Sequence, residues 1–275
     1  MQPLKIMILC RAVVDSTMPL AHDSKHPDMA SASWVLNPFD EVATEAAVQL
    51  RAALAQKESS GAGVELLVVG YADGPGVSAA ERALSLGGDR ALLLEAIRPS
   101  STPHPLDSRA QAEELLALLR QEQPDLLLMG KMAYGQEQGE FAPLMAALAG
   151  WPLAVACSEL AWASPECSEP ECSEPDADPT YLDFTQKRVE RWHKGRVALP
   201  AVVSVELDLA APRYVSLPSL VAARRKPKAQ VSASASAYCH QQGASWSFAA
   251  PTTKQVQKLT GISELVAVIR QMEQA

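Results

Sequence analysis

The residue types that most often do chemistry are scattered in this sequence, and few of them stand at a useful spacing. The histidines lie at positions 22, 26, 104, 193 and 240, and none falls in a metalloprotease or serine-hydrolase motif. His22 and His26 have the i, i+4 spacing of a metal pair, but Asp, Ser, Lys and Pro around them indicate a loop. The adjacent carboxylates Glu113 and Glu114 fall on what the pattern predicts to be a polar, solvated helix face. We therefore predict no metal site and no catalytic residues.

The number and spacing of the cysteines indicate neither a disulfide framework nor a metal site. The chain has five cysteines, an odd and scattered set that does not suggest a disulfide framework. Cys167 and Cys172 sit in a tandem repeat in which Pro-Glu-Cys-Ser-Glu occurs at 165–169 and again at 170–174. This spacing differs from that of a zinc knuckle. The repeat indicates a solvated acidic loop.

One glycine-rich stretch allows two interpretations. Gly70-Tyr71-Ala72-Asp73-Gly74-Pro75-Gly76 follows an apolar run, where backbone N–H groups could cradle a phosphate or simply form a tight turn. The chain contains neither a P-loop motif nor a dinucleotide fingerprint after its first strand.

The elements that must position these residues alternate regularly in the first half of the chain. The predicted strands and helices are strand 4–10, helix 38–56, strand 64–70, helix 78–86, strand 90–94, helix 108–121, strand 126–130 and helix 143–149. Such alternation predicts a parallel sheet covered on both faces, and the nearly continuous apolar strands agree with burial on both sides. Ligands of such sheets bind beyond the carboxyl ends of the strands, which directs attention to 11–37, 71–77 and 131–141. At the first helix, Asn37 is expected to cap while Asp40 and Glu41 face the positive end of the dipole.

The second half of the chain has a different pattern. Residues 153–162 and 181–198 are predicted to be the two arms of a hairpin separated by the acidic repeat. A strand at 201–209, a proline-bounded segment at 212–218 and a basic run at 224–228 follow. A small, polar linker is predicted at 230–243, and an amphipathic helix at 263–272 closes the chain.

Composition and charge exclude several classes of partner. The formal net charge is −8, so nucleic acid is not an expected ligand. No apolar run reaches the roughly 18 residues that a membrane-spanning helix needs, so we expect no direct membrane insertion. The first ten residues lack the apolar core of a secretory signal, so a cytoplasmic protein is expected.

Several stretches, taken in order, resemble one family, the beta subunit of electron transfer flavoprotein. The matching stretches are Arg11-Ala12-Val13-Val14-Asp15, Asn37-Pro38-Phe39-Asp40-Glu41, Gly88-Asp89-Arg90-Ala91, Pro124 to Lys131, Gly150-Trp151-Pro152, Leu199 to Val203 and Pro212 to Pro218 with its basic tail. They span residues 4 to 228 at about the family's spacing, and the closing helix also looks like the family's C-terminal helix.

The resemblance implies a fold, a role and partners. The fold is α/β, a Rossmann-like parallel sheet of the adenine-nucleotide alpha hydrolase type, with an added antiparallel hairpin and an extended C-terminal arm. Residues 1–228 would form the main domain, with the hairpin and its acidic insertion at 153–198, and 229–275 would form an arm and helix contacting the alpha subunit. The role is electron carriage, not enzymatic catalysis. The partners would be an alpha subunit, flavoprotein dehydrogenases and a membrane quinone oxidoreductase.

The resemblance also assigns site residues. FAD would be held mainly by the alpha subunit, with Phe39 near the xylene edge of the flavin and Asn37 and Ser16 nearby. An AMP region would comprise Leu9, Gly70, Gly130, Ala133, Gly139, Glu140 and Phe141. Leu217 would anchor the partner dehydrogenase, together with Arg213, Tyr214 and Arg225.

Departures from the family concern the AMP loop above all. Where relatives have Asn-Gln-Thr, this chain has Gly139-Glu140-Phe141, so hydroxyl and amide donors are missing and a carboxylate stands where a phosphate would lie. AMP binding is therefore doubtful. Ser16 replaces an aromatic residue of some relatives, and Trp192-His193-Lys194-Gly195 replaces an acidic-Gly-Gly turn. Two alternatives stay open, a stand-alone nucleotide-binding protein of the same fold and a ligand-free structural subunit.

Overall fold

A computed structural model describes residues 3–18, 31–57, 63–95, 108–135, 139–163, 181–189, 191–232 and 261–272. Its strands are β1 (Leu4–Leu9), β2 (Ala12–Val14), β3 (Trp34–Leu36), β4 (Val64–Tyr71), β5 (Arg90–Glu95), β6 (Leu126–Gly130), β7 (Leu153–Trp162), β8 (Tyr181–Arg188), β9 (Arg191–Ala198), β10 (Ala201–Val205) and β11 (Lys228–Ser232). Its helices are α1 (Pro38–Lys57), α2 (Gly74–Leu86), α3 (Ser108–Glu122), α4 (Phe141–Ala149), α5 (Leu217–Arg225) and α6 (Ile262–Met272).

The central sheet has nine strands in the order β11-β5-β4-β1-β6-β10-β7-β8-β9. The strands from β11 to β7 are parallel, and β8 and β9 add an antiparallel extension. The chain steps outward from β1 to β4 and β5, then returns through α3 to place β6 on the other side of β1. The strand order therefore reverses between β1 and β6, and at such a switch point the loops diverge and leave a crevice.

Two apolar layers enclose the sheet. One face packs on α1 and α2, and the other on α3 and α4. Because β1, β4 and β6 are covered on both faces, they are buried without alternation at 6–9, 66–70 and 126–130, as expected for parallel strands. The α/β, Rossmann-like class expected from the alternation and from the resemblance is confirmed.

The second half of the chain differs from the prediction in two places. The arm predicted at 181–198 is two strands, β8 and β9, because the chain folds back at residues 188–191. The hairpin is thus a three-stranded meander with β7. The polar linker predicted at 230–243 begins as β11, which pairs with β5 in parallel. Residues 233–243 lie outside the described residues, as does the acidic repeat.

Two short strands that were not predicted from the sequence follow β1, since β2 and β3 pair antiparallel. The segment after residue 212 contains a helix, α5, whose N-cap is Ser216 and whose first turn holds Pro218. The C-terminal helix is confirmed as α6.

Two lysines of the basic run pack against the fold, whereas Arg224 and Arg225 are exposed. Lys226 donates from Nζ to the Leu84 and Gly88 carbonyls, and Lys228 pairs with Glu81. Burial lowers the pKa of Lys226. These contacts fasten α5 to α2.

Candidate functional site

The switch point is closed by one buried ion pair. Arg11 follows β1, and its backbone N and Nε both lie 2.9 Å from Asp40 Oδ2. Arg11 Nη2 lies 2.7 Å from Asp40 Oδ1, which also accepts from the Gly130 N–H at 2.8 Å. A carboxylate offers about four lone-pair sites, and all four are used here. Asp40 is fully buried, so its charge is tolerated because every site is paired.

Arg11 extends the same network to β6 and its loop. Nη2 also donates to the carbonyls of Gly130 at 3.0 Å and Met132 at 3.3 Å. Burial by itself would lower the pKa of Arg11, but Asp40 outweighs it, and the pKa lies above the ordinary value. The pair therefore joins β1, α1 and β6 and leaves Asp40 no acceptor site for a ligand.

Asn37 holds the loop that leaves β6. Its Nδ2 donates to the Met132 carbonyl at 2.9 Å, and its Oδ1 accepts from the Tyr134 N–H at 3.2 Å. The side chain thus bonds across the switch point in place of the N-cap role predicted for it. The Asn37 carbonyl accepts from the first amides of α1 instead.

Phe39 and Gly130 make the closest approach between α1 and the sheet. A Cβ added at Gly130 would overlap Phe39 Cβ and come within 2.7 Å of Asp40 Oδ1, so only glycine allows this packing. The Phe39 ring is 4 % exposed, and Lys131 Nζ lies 5.7 Å above it while pairing with Glu206. In the single chain Phe39 is core, and its contact with a flavin stays a prediction.

The predicted AMP region is partly assembled. Leu9, Gly70, Gly130 and Ala133 lie at the carboxyl ends of β1, β4 and β6 and in the loop after β6. Gly139 approaches the Lys131 carbonyl, where an added Cβ would lie at 3.7 Å, so α4 begins beside the same crevice. Phe141, by contrast, packs into the core with α3.

Glu140 is the N-cap residue of α4, and its side chain makes no capping hydrogen bond. A helix N-terminus attracts anions through its free N–H groups and dipole. Here a carboxylate of the chain itself already stands at that terminus, exposed to solvent. This geometry does not fit a bound phosphate.

Ser16 and the glycine-rich loop at 70–76 also follow the carboxyl ends of strands in the sequence. Ser16 is exposed in the turn after β2. In the loop, Asp73 caps α2 by accepting from the Gly76 N–H at 2.6 Å. That amide is thereby occupied, which favours the tight-turn interpretation over a phosphate cradle.

Titratable groups elsewhere in the described part of the chain form no cluster suited to a metal. Cys10 and Cys157 are free and buried; burial raises the pKa of Cys157 to about 12 and that of Cys10 well above its usual range. Glu114 corrects a prediction, since it is 5 % exposed on the core face of α3 and not solvated. Within the described residues no helix is both long and apolar enough to cross a membrane.

The predicted partner-binding residues form a second surface. Arg213 is clamped to α1, with Nε and Nη2 each 2.8 Å from the carboxylate of Glu45, so it positions the segment, and its contact with a partner stays a prediction. Tyr214 is 93 % and Leu217 77 % exposed. Leu220 and Val221 continue this apolar surface along α5; we call these four residues the α5 patch. Arg225, also exposed, lies in the last turn of the helix.

The sequence did not reveal the roles of Asp40 and Glu45. Asp40 was expected only to face the helix dipole and Glu45 was not singled out, yet the two are 0 % and 4 % exposed. A signal was present, because a carboxylate amid the apolar positions of α1 must find a cationic partner. Arg11 and Arg213 are such partners, but only the fold shows which arginine meets which acid.

A cleft of about 500 Å³ lies at the opposite edge of the sheet, near the N-terminal ends of β6 and β10. Its walls come from α3, α4 and the turns before the strands, including Arg120 and Trp151. It shares no residue with the switch point and is not part of the candidate site.

Comparison with known proteins shows which family the chain resembles. Residues 28–236 match the electron transfer flavoprotein domain. The chain is 30% identical over 229 residues to electron transfer flavoprotein subunit beta of Bradyrhizobium diazoefficiens, which covers 82% of this chain and 81% of that protein. It is 27% identical to the mitochondrial subunit beta of Oryza sativa subsp. japonica, over 81% of this chain and 79% of the relative. The subunit beta of Bacillus subtilis is 25% identical over 82% of this chain and 77% of its own length.

The buried pair at the switch point yields a stability prediction. Asp40→Ala leaves the guanidinium of Arg11 and the Gly130 N–H without their acceptor, so the free energy of unfolding should fall by about 3–5 kcal/mol. Asp208→Ala, which removes an exposed carboxylate, should change it by less than about 0.5 kcal/mol. Urea unfolding followed by circular dichroism measures both. Equal losses in the two variants would show that the pair is not the closing interaction.

The Glu45–Arg213 clamp yields a pH prediction. Burial tends to raise the pKa of Glu45, but hydrogen bonds from Arg213 outweigh it and hold the pKa below the ordinary value. A folded-state pKa below the unfolded one gives stability that is present above the unfolded value and lost as pH falls through the folded one. The stability difference between the wild type and Glu45→Gln should therefore be constant above about pH 5.5 and shrink below about pH 4.3. Asp208→Asn is the control; a Glu45 difference that does not change between pH 7 and 3 would contradict the clamp.

Proposed function

The chain belongs to the beta-subunit family of the electron transfer flavoproteins, and from this membership we propose that it passes electrons from flavoprotein dehydrogenases to a membrane quinone oxidoreductase. The observation that carries the proposal is the match over residues 28–236, joined to a switch point built from the same stretches that carry the resemblance. Membership implies an alpha subunit as partner and a flavin as cofactor. The protein is an electron carrier in this proposal, and it meets its dehydrogenases in the cytoplasm, which the free, buried Cys10 and Cys157 support.

The switch point supports a positioning role. Its polar groups are used by one another, since Asp40 is saturated and Asn37 bonds to the loop after β6. A bound flavin supplies the redox chemistry, and the protein orients it and excludes water. The chain thus needs no acid, base or nucleophile of its own at this edge.

The flavin is proposed to be FAD shared with the alpha subunit. The cradle above Gly130 is filled by Phe39 and Asp40, so this chain offers one wall of a site and not an enclosed pocket. Asn37, Phe39 and the exposed Ser16 would form that wall. Because this chain would contribute only one wall of the flavin site, the alpha subunit would hold most of the cofactor.

AMP is proposed to be weakly held or absent. Glu140 at the start of α4 meets a phosphate with like charge, and like charges a few ångströms apart at surface-to-intermediate dielectric cost on the order of 1–4 kcal/mol. The Thr hydroxyl that would offset this cost in relatives is replaced by Phe141, which is turned into the core. The residues present do not fit this nucleotide.

The α5 patch is proposed to dock the dehydrogenase, with Leu217 as its anchor. Leu217 is the first residue of α5 and is held outward by a capped helix and by the Arg213 clamp. Pro218 and Ser216 fix the backbone on either side, so little ordering remains to be done on binding. An exposed leucine on a fixed backbone suits an interface anchor.

Cofactor content tests the proposal. The chain expressed alone should be colourless, and the complex with its alpha subunit should carry one FAD, because the chain supplies only a wall. Nucleotides extracted from the denatured complex and separated by liquid chromatography should include FAD and less than one AMP per complex. Stoichiometric AMP would show that the α4 terminus binds phosphate despite Glu140. FAD or ATP bound by the isolated chain would favour a stand-alone nucleotide-binding protein, and a colourless complex would favour a ligand-free structural subunit.

The anchor has its own test. Leu217→Ala should slow electron transfer from the cognate dehydrogenase by about thirtyfold, the effect of losing one interface hot spot. FAD content and heterodimer stability should not change. Leu207→Ala is the matched control, because Leu207 is 48 % exposed in the turn after β10, outside α5. A loss of rate that tracks dissociation of the alpha subunit, or no loss, would remove the anchor assignment.

A further inference from the structure

The antiparallel extension ends in a two-stranded ribbon that pairs with no further strand among the residues the structure describes. The last residue of β8 that pairs with β7 is Gln186, opposite Cys157. Beyond it, β8 pairs only with β9, with Lys187 opposite Trp192 and Arg188 opposite Arg191, while His193 and Lys194 pair with Gln186 and Thr185 at the base; we call residues 187–194 the basic ribbon. All of its described side chains are exposed. Isolated two-stranded hairpins are marginally stable in water, so an exposed ribbon needs either a firm base or a partner.

The base of the ribbon is firm. The Phe184 ring lies against Gly195, where an added Cβ would come within 2.5 Å of it. Arg196 pairs with Asp183 through two hydrogen bonds at 2.6 and 2.9 Å. The ribbon is therefore presented in a fixed direction, which lowers the ordering cost of binding.

The ribbon carries a charge opposite to that of the chain. Four of its eight residues are Lys or Arg and one is Glu, whereas the whole chain has a net charge of −8. Register places Lys187 opposite Trp192 and Thr185 opposite Lys194, so one face of the ribbon carries two ammonium groups around an indole. Trp192 is 56 % exposed, with Lys187 Nζ 5.7 Å above its ring.

The tip of the basic ribbon carries an exposed apolar residue, Val189, in an unfavourable backbone conformation. Val189 is 94 % exposed and has φ +52, a conformation that Asn and Gly adopt readily and a β-branched residue does not. Strain and exposure at one position indicate a functional contact, because burial against a partner would offset both.

The ribbon lies far from the α5 patch. α5 is fastened to α2 beside β4, and the order of the sheet puts five strand spacings between β4 and β8, about 24 Å at the usual separation. A dehydrogenase docked on Leu217 leaves the ribbon uncovered. The ribbon thus needs a second occupant.

From these observations we infer that the basic ribbon docks on an acidic surface of the alpha subunit, with Trp192 as the anchor and Lys187 and Lys194 selecting the matching partner. This inference rests on the proposed heterodimer. Cations around an exposed aromatic ring are typical of a protein interface. The charges steer the encounter of the two proteins, and burial of the ring contributes binding affinity.

Other occupants fit less well. Edge-to-edge pairing of β9 with β9 of a second copy would set Arg191 and Lys194 against like charges, which disfavours it. Nucleic acid is opposed by the field of an acidic chain. An anionic membrane would find only Trp192 and Val189 as apolar contacts among the described ribbon residues, less than stable insertion needs.

The test compares two double charge reversals in the co-expressed, FAD-loaded heterodimer. Lys187→Glu/Lys194→Glu should raise the dissociation constant at low salt by about tenfold or more and flatten its salt dependence. Arg109→Glu/Arg120→Glu, which reverses two exposed cations on α3, should leave both unchanged. Trp192→Ala should weaken the complex by about thirtyfold, and Trp192→Phe should restore much of it. Circular dichroism of each complex shows that the fold is kept.

The outcomes separate the inference from the function. A wild-type heterodimer that forms while both double reversals behave alike overturns the ribbon assignment and leaves the proposed function intact. A wild-type chain that never assembles with an alpha subunit overturns both. Unchanged assembly, with loss of binding to vesicles of phosphatidylcholine and phosphatidylglycerol in the ribbon variants, would replace the protein partner by a membrane surface.

Discussion

The Arg11–Asp40 pair is the interaction on which the described site depends. It stands where β1 and β6 separate, and it ties the end of β1 to the first turn of α1 and to Gly130. A buried charge is costly unless every acceptor site is filled, and here the four sites of Asp40 are filled by one side chain and two backbone amides. Because all four acceptor sites of Asp40 are occupied, the pair is stable, and for the same reason Asp40 has no site left to act on a ligand. The switch point is therefore a fixed support, held closed by its own polar groups.

That support also fixes the shape of the carboxyl edge of the sheet among the described residues. Glycine at position 130 lets α1 approach the sheet until Phe39 fills the space above it, and Asn37 then fixes the loop that follows β6. The carboxyl edge of the sheet becomes a wall with a set shape. At the start of α4, Glu140 places a carboxylate at the helix N-terminus, where a phosphate would meet a like charge. The departure in sequence is thus also a departure in electrostatics.

Two surfaces remain for partners, and they lie at opposite parts of the sheet. The α5 patch is apolar and is held by the Arg213–Glu45 clamp and by Lys226. The basic ribbon is cationic and is held by the Phe184–Gly195 contact and by the Asp183–Arg196 pair. Each surface is exposed at its tip and rigid at its base, so each presents its side chains in a fixed direction and little ordering is needed on binding. Their separation follows from strand order alone, because α5 packs beside β4 and the ribbon extends β8.

The sequence by itself determined the sheet class, most element positions and the family, because apolar periodicity and short motifs are local properties. It predicted β6 at 126–130 and placed α1, α3 and β1 within a residue or so of their bounds, since each is bracketed by Pro, Gly or a change of period. It could not show that residues 181–198 fold back on themselves, because Val189 gives no Gly or Asn turn signal. Nor could it pair Asp40 with Arg11 or Glu45 with Arg213, which lie 29 and 168 residues apart. Each buried carboxylate needs a cationic partner. Only the tertiary structure decided which arginine it is, since that depends on which strands and helices lie side by side.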